Sequence, residues 1–486
     1  MRQLVELIYA TLDKHWSVNA EDGFEALFGS SGGRYPTYAQ KKFKVRTSGM
    51  NTKVPFAALI HPSNPDSGPY GGMSFVIFPQ QEQPALFGLV LGTQGLSPDE
   101  VILSRPGHAR KARALCTWLN QEFGDGNTIA WAKQDPVRLD KEVPGNVQKQ
   151  FAAYAPVFDK YGGELYAIFQ PGTNREATEV ALKAMLDLVF EERGAEPLSA
   201  ASDEAAQIKQ GYFGHLLPAA SVEEVAEILA NRRYVILQGP PGTGKTRMAL
   251  ELLDGTYSGN GRSIQFHPNT TYEDFIGGLA PVEAQTGMGF RFEPKMGALM
   301  SAAQAARKQP EVPYLLHIDE VNRADLAKVL GEAVFLLEYR REKEVQIELP
   351  YDFGDEVGRR FSLPDNLHIL GTMNTSDRSI AILDVAIRRR FAFEKLWPQL
   401  SVVQQHGCEL MVEKFQELLQ VFVEHATDDA FNLLPGHSYF LEENEDNARR
   451  ALNLHLKPLL DEYLTQGYVA GFEEEIRSYV QSIESL

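Results

Sequence analysis

The 486-residue chain has only two cysteines, Cys116 and Cys408, far apart in sequence. That excludes a disulfide framework and a cysteine-based zinc cluster, and it fits a reducing compartment. No apolar run approaches the ~20 residues needed to cross a bilayer. The opening Met1-Arg2-Gln3-Leu4-Val5-Glu6 lacks the basic-then-apolar layout of a secretory signal. The expected setting is the cytoplasm, with no membrane partner. Internal repeats and low-complexity tracts are also missing, which excludes solenoids and disordered tails.

Positive charge is scarce: 47 Lys+Arg stand against 65 Asp+Glu, a formal net charge of −18. Taken whole, that opposes a nucleic-acid partner, because phosphate contacts need Lys and Arg. The deficit is uneven, however. Residues 1–200 hold 20 basic against 22 acidic side chains, and residues 201–486 hold 27 against 43. The acid belongs to the second part, so contact with nucleic acid stays open for the first.

What is present is ordinary globular composition, 43% hydrophobic and 23% charged, and at roughly 150 residues per domain the length predicts two to four domains. A small, polar stretch over 196–206, without apolar periodicity, reads as a linker. Before it, short apolar runs at 54–60, 73–78 and 85–91 read as strands of a meander, while 109–123 and 176–192 carry helical spacing. Residues 1–195 are therefore expected to form a mixed α+β domain.

The second part alternates strands and helices. Ser221-Val222-Glu223-Glu224 is a capping-box start for a helix, and strands are expected at 234–238, 263–267, 314–319 and 367–372. This pattern predicts an α/β domain over 207–396, a parallel sheet with helices on both faces, followed by an all-α subdomain over 397–486.

The sharpest motif is Gly239-Pro240-Pro241-Gly242-Thr243-Gly244-Lys245-Thr246, between a strand and a helix. Its glycines let backbone amides turn toward an oxyanion, Lys245 neutralises β/γ-phosphate charge, and Thr246 offers a hydroxyl to Mg²⁺. Asp319 and Glu320 end an apolar strand, where Asp319 can sit by the metal and Glu320 can polarise an attacking water. A third strand runs into Met373-Asn374-Thr375-Ser376-Asp377-Arg378-Ser379, placing Asn374 at the same sheet edge as a contact for the γ-phosphate or the water. Arg388-Arg389-Arg390 point about 100° apart on a helix, so they serve different roles. Arg388 and Arg389 are the candidates to reach a neighbouring subunit's nucleotide as arginine fingers, and Arg323 is a weaker candidate for such an interface.

These blocks carry a resemblance. With Phe266-His267-Pro268, Tyr272 to Leu279, Ile318 to Arg323, and the late Gly436-His437-Ser438-Tyr439-Phe440 and Pro458 to Tyr463, residues 210–465 resemble the AAA+ motor of the McrB family, the nucleotide-hydrolysing subunits of modification-dependent restriction systems. The resemblance implies a homo-oligomeric ring, expected to be hexameric. It also implies GTP as substrate, with ATP open because the small-GTPase guanine signature Asn-Lys-x-Asp is absent, and a separate McrC-type endonuclease subunit as partner. No nuclease motif is expected in this chain. An AAA+ chaperone of the MoxR kind shares the phosphate loop and the Asp-Glu strand, but the Met373 to Ser379 block favours the restriction motor.

The first part is expected to recognise nucleic acid, possibly modified DNA. Two basic clusters can contact phosphates: Lys41-Lys42-Phe43-Lys44-Val45-Arg46, and Arg105 with His108, Arg110, Lys111 and Arg113. Trp16, Trp118 and Trp131 also lie here; core packing is the expected role of all three.

Overall fold

The computed structural model describes all residues except 30–31, 49–51, 139, 284–289, 339–344, 355–356 and 377–384. Its contacts divide the chain into two compact units, Met1–Leu217 with Gln420–Thr427, and Pro218–Leu419 with Asp428–Leu486. No helix among the described residues is long and apolar enough to cross a membrane.

The first unit is built on six strands, β1 (Lys44–Thr47), β2 (Ala57–Ile60), β3 (Met73–Phe78), β4 (Leu86–Leu91), β5 (Ala130–Ala132) and β6 (Leu165–Phe169), in the order β1-β2-β3-β4-β6-β5. Every pairing is antiparallel. Alternation divides each strand between two cores. Ala58, Ile60, Val76, Phe78 and Ile168 pack with Val147, Phe151 and Phe158 on one face, whereas Phe75 turns the other way to meet Phe24 with ring centroids 6.3 Å apart. Both faces are thus covered, which is why β2 is apolar throughout and β3 apolar but for the buried Ser74.

The segment expected as a linker is instead the start of a helix, Ser199–Gly214, whose Ala205, Ile208 and Tyr212 are buried. The compact units part later, between Leu217 and Pro218. Small residues hid the helix: alanine favours helix, but only the 205, 208, 212 spacing marks its buried stripe.

Three of the five residues of the second basic cluster are likewise internal. His108, Arg110 and Lys111 are buried on the helix Pro106–Phe123. Arg105 pairs with Glu192 at 3.0 Å, Lys111 with Glu424 at 2.7 Å, and Arg110 donates to the carbonyls of Val423 and Ala426 within the same unit. Burial raises the Glu192 carboxyl, but His108 and Lys111 outweigh it and hold the group at about 2. These cations are spent on the fold. Of the first cluster, Lys44 and Arg46 pair with Asp66 while Lys41 and Lys42 are exposed. Trp16 is fully buried, and Trp118 packs on Gly211 and Phe123.

In the second unit, strands β7 (Tyr234–Gly239), β8 (Gly261–Gln265), β11 (Tyr314–Asp319), β14 (Leu367–Asn374) and β15 (Ala392–Lys395) form one sheet ordered β15-β7-β14-β11-β8. All four pairings are parallel. Tyr234, Ile236, Leu316, Ile318 and Ile369 face a core with the helix Ala298–Lys308; the alternate residues Val235, Leu237, Leu315 and Leu370 face the helices Val222–Arg232 and Lys245–Asp254. The expected capping box is present, with Ser221 and Glu224 bonding reciprocally.

Between β8 and β11 stands an antiparallel hairpin, β9 (Gly277–Glu283) and β10 (Phe290–Met296), which sequence reading did not anticipate. Phe290 and Phe292 on it are 76% and 67% exposed. A two-residue pair, β12 (Ile347–Glu348) and β13 (Arg360–Phe361), completes the strands. From Leu400 onward the described secondary structure is helical, including Leu400–His406, Glu409–His425, Lys457–Thr465 and Glu473–Glu484.

Candidate active site at the carboxyl edge of the parallel sheet

Parallel strands bring their carboxyl ends to one edge, and the register aligns the chemistry there. Asn374 pairs with Gly239 across β14 and β7, and Asp319 with Gln265 across β11 and β8. The phosphate loop leaves β7 at Gly239 and enters the helix at Lys245, with Gly242 and Gly244 at φ +80° and +81°. Those left-handed positions favour glycine and turn successive N–H groups to one side. Thr243 Oγ1 braces the loop by donating to Pro240 O at 2.9 Å.

Lys245 is buried. Its Nζ donates to the carbonyls of Gly239 and Pro240 at 3.0 and 2.7 Å. Burial lowers its pKa to about 8 against the opposing pull of Glu320 and Asp319. A phosphate oxygen in the loop would compete with those carbonyls for the same ammonium and hold it charged.

Thr246 Oγ1 donates to Asp319 Oδ1 at 3.0 Å, and Thr372 Oγ1 donates to the same oxygen. Sequence reading missed Thr372, whose only signal is its place two residues before Asn374 on β14. One hydroxyl and one carboxylate suit Mg²⁺, which takes few protein ligands and completes its shell with phosphate and water. Among the described residues no group of three His, Cys, Asp or Glu side chains is placed to hold a metal on its own.

Glu320 adopts φ +56°, and its N–H donates to Thr372 Oγ1 at 3.1 Å. Asn374 Nδ2 donates to Glu320 Oε1 at 2.7 Å, while Asn322 Nδ2 donates to Asn374 O at 3.3 Å. Arg323, expected at an interface, has its Nε 3.4 Å from Glu320 Oε2 of its own chain. The three arginines separate, but the helix expected to carry them, Val385–Arg388, ends at the first. Arg390 is buried and donates to Ala386 O; Arg388 lies over the Phe393 ring and Arg389 reaches toward Glu338 at 3.6 Å, both exposed. Asp377, Arg378 and Ser379 of the sequence block lie outside the described residues.

A family model described as AAA domain (dynein-related subfamily) matches residues 234–391. The chain is 32% identical over 356 residues to the type IV methyl-directed restriction enzyme EcoKMcrB subunit of Escherichia coli K12, covering 67% of this chain and 76% of that protein. It is 28% identical over 258 residues to the type II restriction enzyme BsuMI component YdiS of Bacillus subtilis 168, covering 44% and 74% respectively. Among solved structures, a mutant RuvB of Thermotoga maritima aligns at TM-score 0.25 and 12% identity over 51% of this chain and 78% of its own, too slight a likeness to argue from.

Proposed function

The chain belongs to the McrB family of AAA+ NTPases, and from that premise we propose that it is the motor of a restriction or phage-defence complex, hydrolysing GTP in preference to ATP. The observation that carries the hydrolysis is the convergence of Lys245, Thr246, Asp319, Glu320 and Asn374 on one sheet edge, while the preference for GTP rests on the family resemblance. Pro240, Pro241 and the loop glycines 239, 242 and 244 shape the phosphate cradle, with Thr243 bracing it. Thr246 and Asp319 are the residues that would hold Mg²⁺, which when bound supplies charge neutralisation across the β- and γ-phosphates. Glu320 takes the proton of the attacking water, and Asn374, already bonded to that carboxylate, orients it.

In this reading the protein assembles as a ring, hexameric by family resemblance, in which exposed Arg388 or Arg389 completes the neighbour's site. An McrC-like endonuclease is the cutting partner, and hydrolysis drives DNA translocation or activates that nuclease. The first unit recognises nucleic acid. What supports this is a cavity of about 240 Å³ lined by Phe56, Tyr70, Phe78, Tyr161 and Glu164, aromatic surface on a scale that suits a single base. Exposed Lys41 and Lys42 are its remaining candidates for phosphate contact.

The test measures GTP and ATP turnover by the full chain, alone, with methylated DNA, and with an McrC-like endonuclease. Lys245→Ala is expected to abolish nucleotide binding and Glu320→Gln to retain binding without turnover. Undiminished hydrolysis by either variant would overturn the active-site assignment. Turnover indifferent to both DNA and nuclease would count against the restriction motor and for a protein-remodelling role.

A further inference from the structure

The segment at 436–440, part of the lid, the helical region after Leu400, lies directly on the phosphate loop. Gly436 N–H donates to Pro241 O at 3.0 Å and Ser438 N–H donates to Gly242 O at 3.1 Å. The approach is backbone on backbone: a Cβ on Gly436 would sit 2.1 Å from the carbonyl carbon of Gly242, so no side chain fits there. His437, between those two hydrogen bonds, is carried over the far half of the loop. Its Nε2 is the atom nearest to where a Cβ on Gly244 would stand, at 3.7 Å.

The other ring nitrogen is committed. Gln399 N–H donates to His437 Nδ1 at 3.2 Å. A nitrogen that accepts an N–H carries no proton, so the neutral ring bears its proton on Nε2. Burial and the nearby Arg247 hold the group down at about 4, so the neutral form persists at physiological pH. The result is an uncharged donor of fixed tautomer at Gly244, beside the backbone amides that turn toward a bound oxyanion.

We propose that His437 is a nucleotide-binding residue, whose Nε2–H donates to the phosphate chain of the bound nucleoside triphosphate as an uncharged contact supplied by the lid. This rests on the nucleotidase reading above. Lys245 already brings a cation to the loop, so what His437 adds is direction rather than charge. Because the same short segment grips Pro241 and Gly242, the nucleotide and the position of the lid are read by one element.

The test is equilibrium binding of a fluorescent GTP analogue to the full chain with Mg²⁺, with inorganic tripolyphosphate as competitor. His437→Ala is expected to weaken both ligands about tenfold, the size of one hydrogen bond to a charged acceptor. His437→Gln, whose side-chain amide reaches the Nε2 position, is expected to recover most of that loss. Both variants remove the acceptor of Gln399 N–H, so a fall in the nucleotide-free melting midpoint is expected to be shared by them, while only His437→Gln regains affinity. Wild-type affinity in His437→Ala overturns the proposal. So does a loss confined to the GTP analogue, which would place the contact on base or sugar. A drop in the nucleotide-free midpoint together with failure of glutamine to rescue would make the residue a purely structural one. If the wild-type chain binds neither ligand, or Lys245→Ala binds them equally well, the nucleotidase reading itself falls and takes this inference with it.

Discussion

Glu320 is held by backbone and side chain at once. A non-glycine residue in the left-handed region costs roughly 1 kcal/mol, and Glu320 sits there at φ +56° with its carboxylate fixed by Asn374 at 2.7 Å and flanked by Arg323. Asn374→Ala should therefore lower kcat by about ten- to a hundredfold while leaving nucleotide affinity within about threefold, because orientation of the base is lost and the phosphate cradle is not. Steady-state kinetics beside direct binding separates the two, and a loss carried by affinity would reassign Asn374. A second residue sets a pH response. His368 accepts or shares the proton of Tyr257 at 2.6 Å, and burial with Arg233 lowers its pKa from 6.5 to about 4. Between those values the unfolded chain binds a proton that the folded chain refuses. The stability owed to neutral His368 is thus complete above about pH 6.5 and drains away as the pH falls toward 4. His368→Gln should flatten the dependence of the denaturant midpoint on pH across that window; an unchanged slope would place the acid sensitivity elsewhere.

Elements differ in how openly the sequence announces them. The helix Val222–Arg232 shows its start in four residues, and losing the cap by Ser221→Ala should cost about 1 kcal/mol. Urea unfolding of the full chain followed by a probe in the second unit would show it, and no change in midpoint would mean that packing of Val225 and Leu229 alone fixes the helix. The phosphate loop and the strand ending in Asp319-Glu320 were legible for a similar reason: each is a contiguous strand–loop pattern whose chemistry is local. Thr372 and His437 were not, because their roles depend on contacts with Asp319 and Gly244 made across the fold. The hairpin β9–β10 carried a period-two signal in Phe290-Arg291-Phe292-Glu293, but its apolar residues face outward, so it does not look like a strand serving a core. Arg110 and Lys111 misled in the opposite direction. A basic run on a helix resembles a phosphate-binding face until Glu192 and the carbonyls that neutralise it are seen.

At the scale of the whole molecule, the net charge of −18 is concentrated after residue 200, on the motor rather than on the first unit. Charge of that sign repels nucleic acid over much of the surface that carries it, so any DNA contact must be local. Sites shared between subunits should show complementation: a chain carrying Arg388→Ala and Arg389→Ala, inactive alone, should regain turnover when mixed with inactive Lys245→Ala chains, since each supplies what the other lacks. Absence of recovery at every mixing ratio would count against shared sites. Trp397 offers an optical route to the same machinery. It is the only tryptophan after residue 131, its ring lies 4.3 Å from the Lys395 ammonium and packs on Phe431, and it stands two residues before the Gln399 amide that holds His437. Replacing Trp16, Trp118 and Trp131 by phenylalanine would leave a single tryptophan, excited selectively at the red edge where the 18 tyrosines do not absorb, at the joint between sheet and lid, so that nucleotide turnover could be watched as a change of colour and intensity without any attached dye.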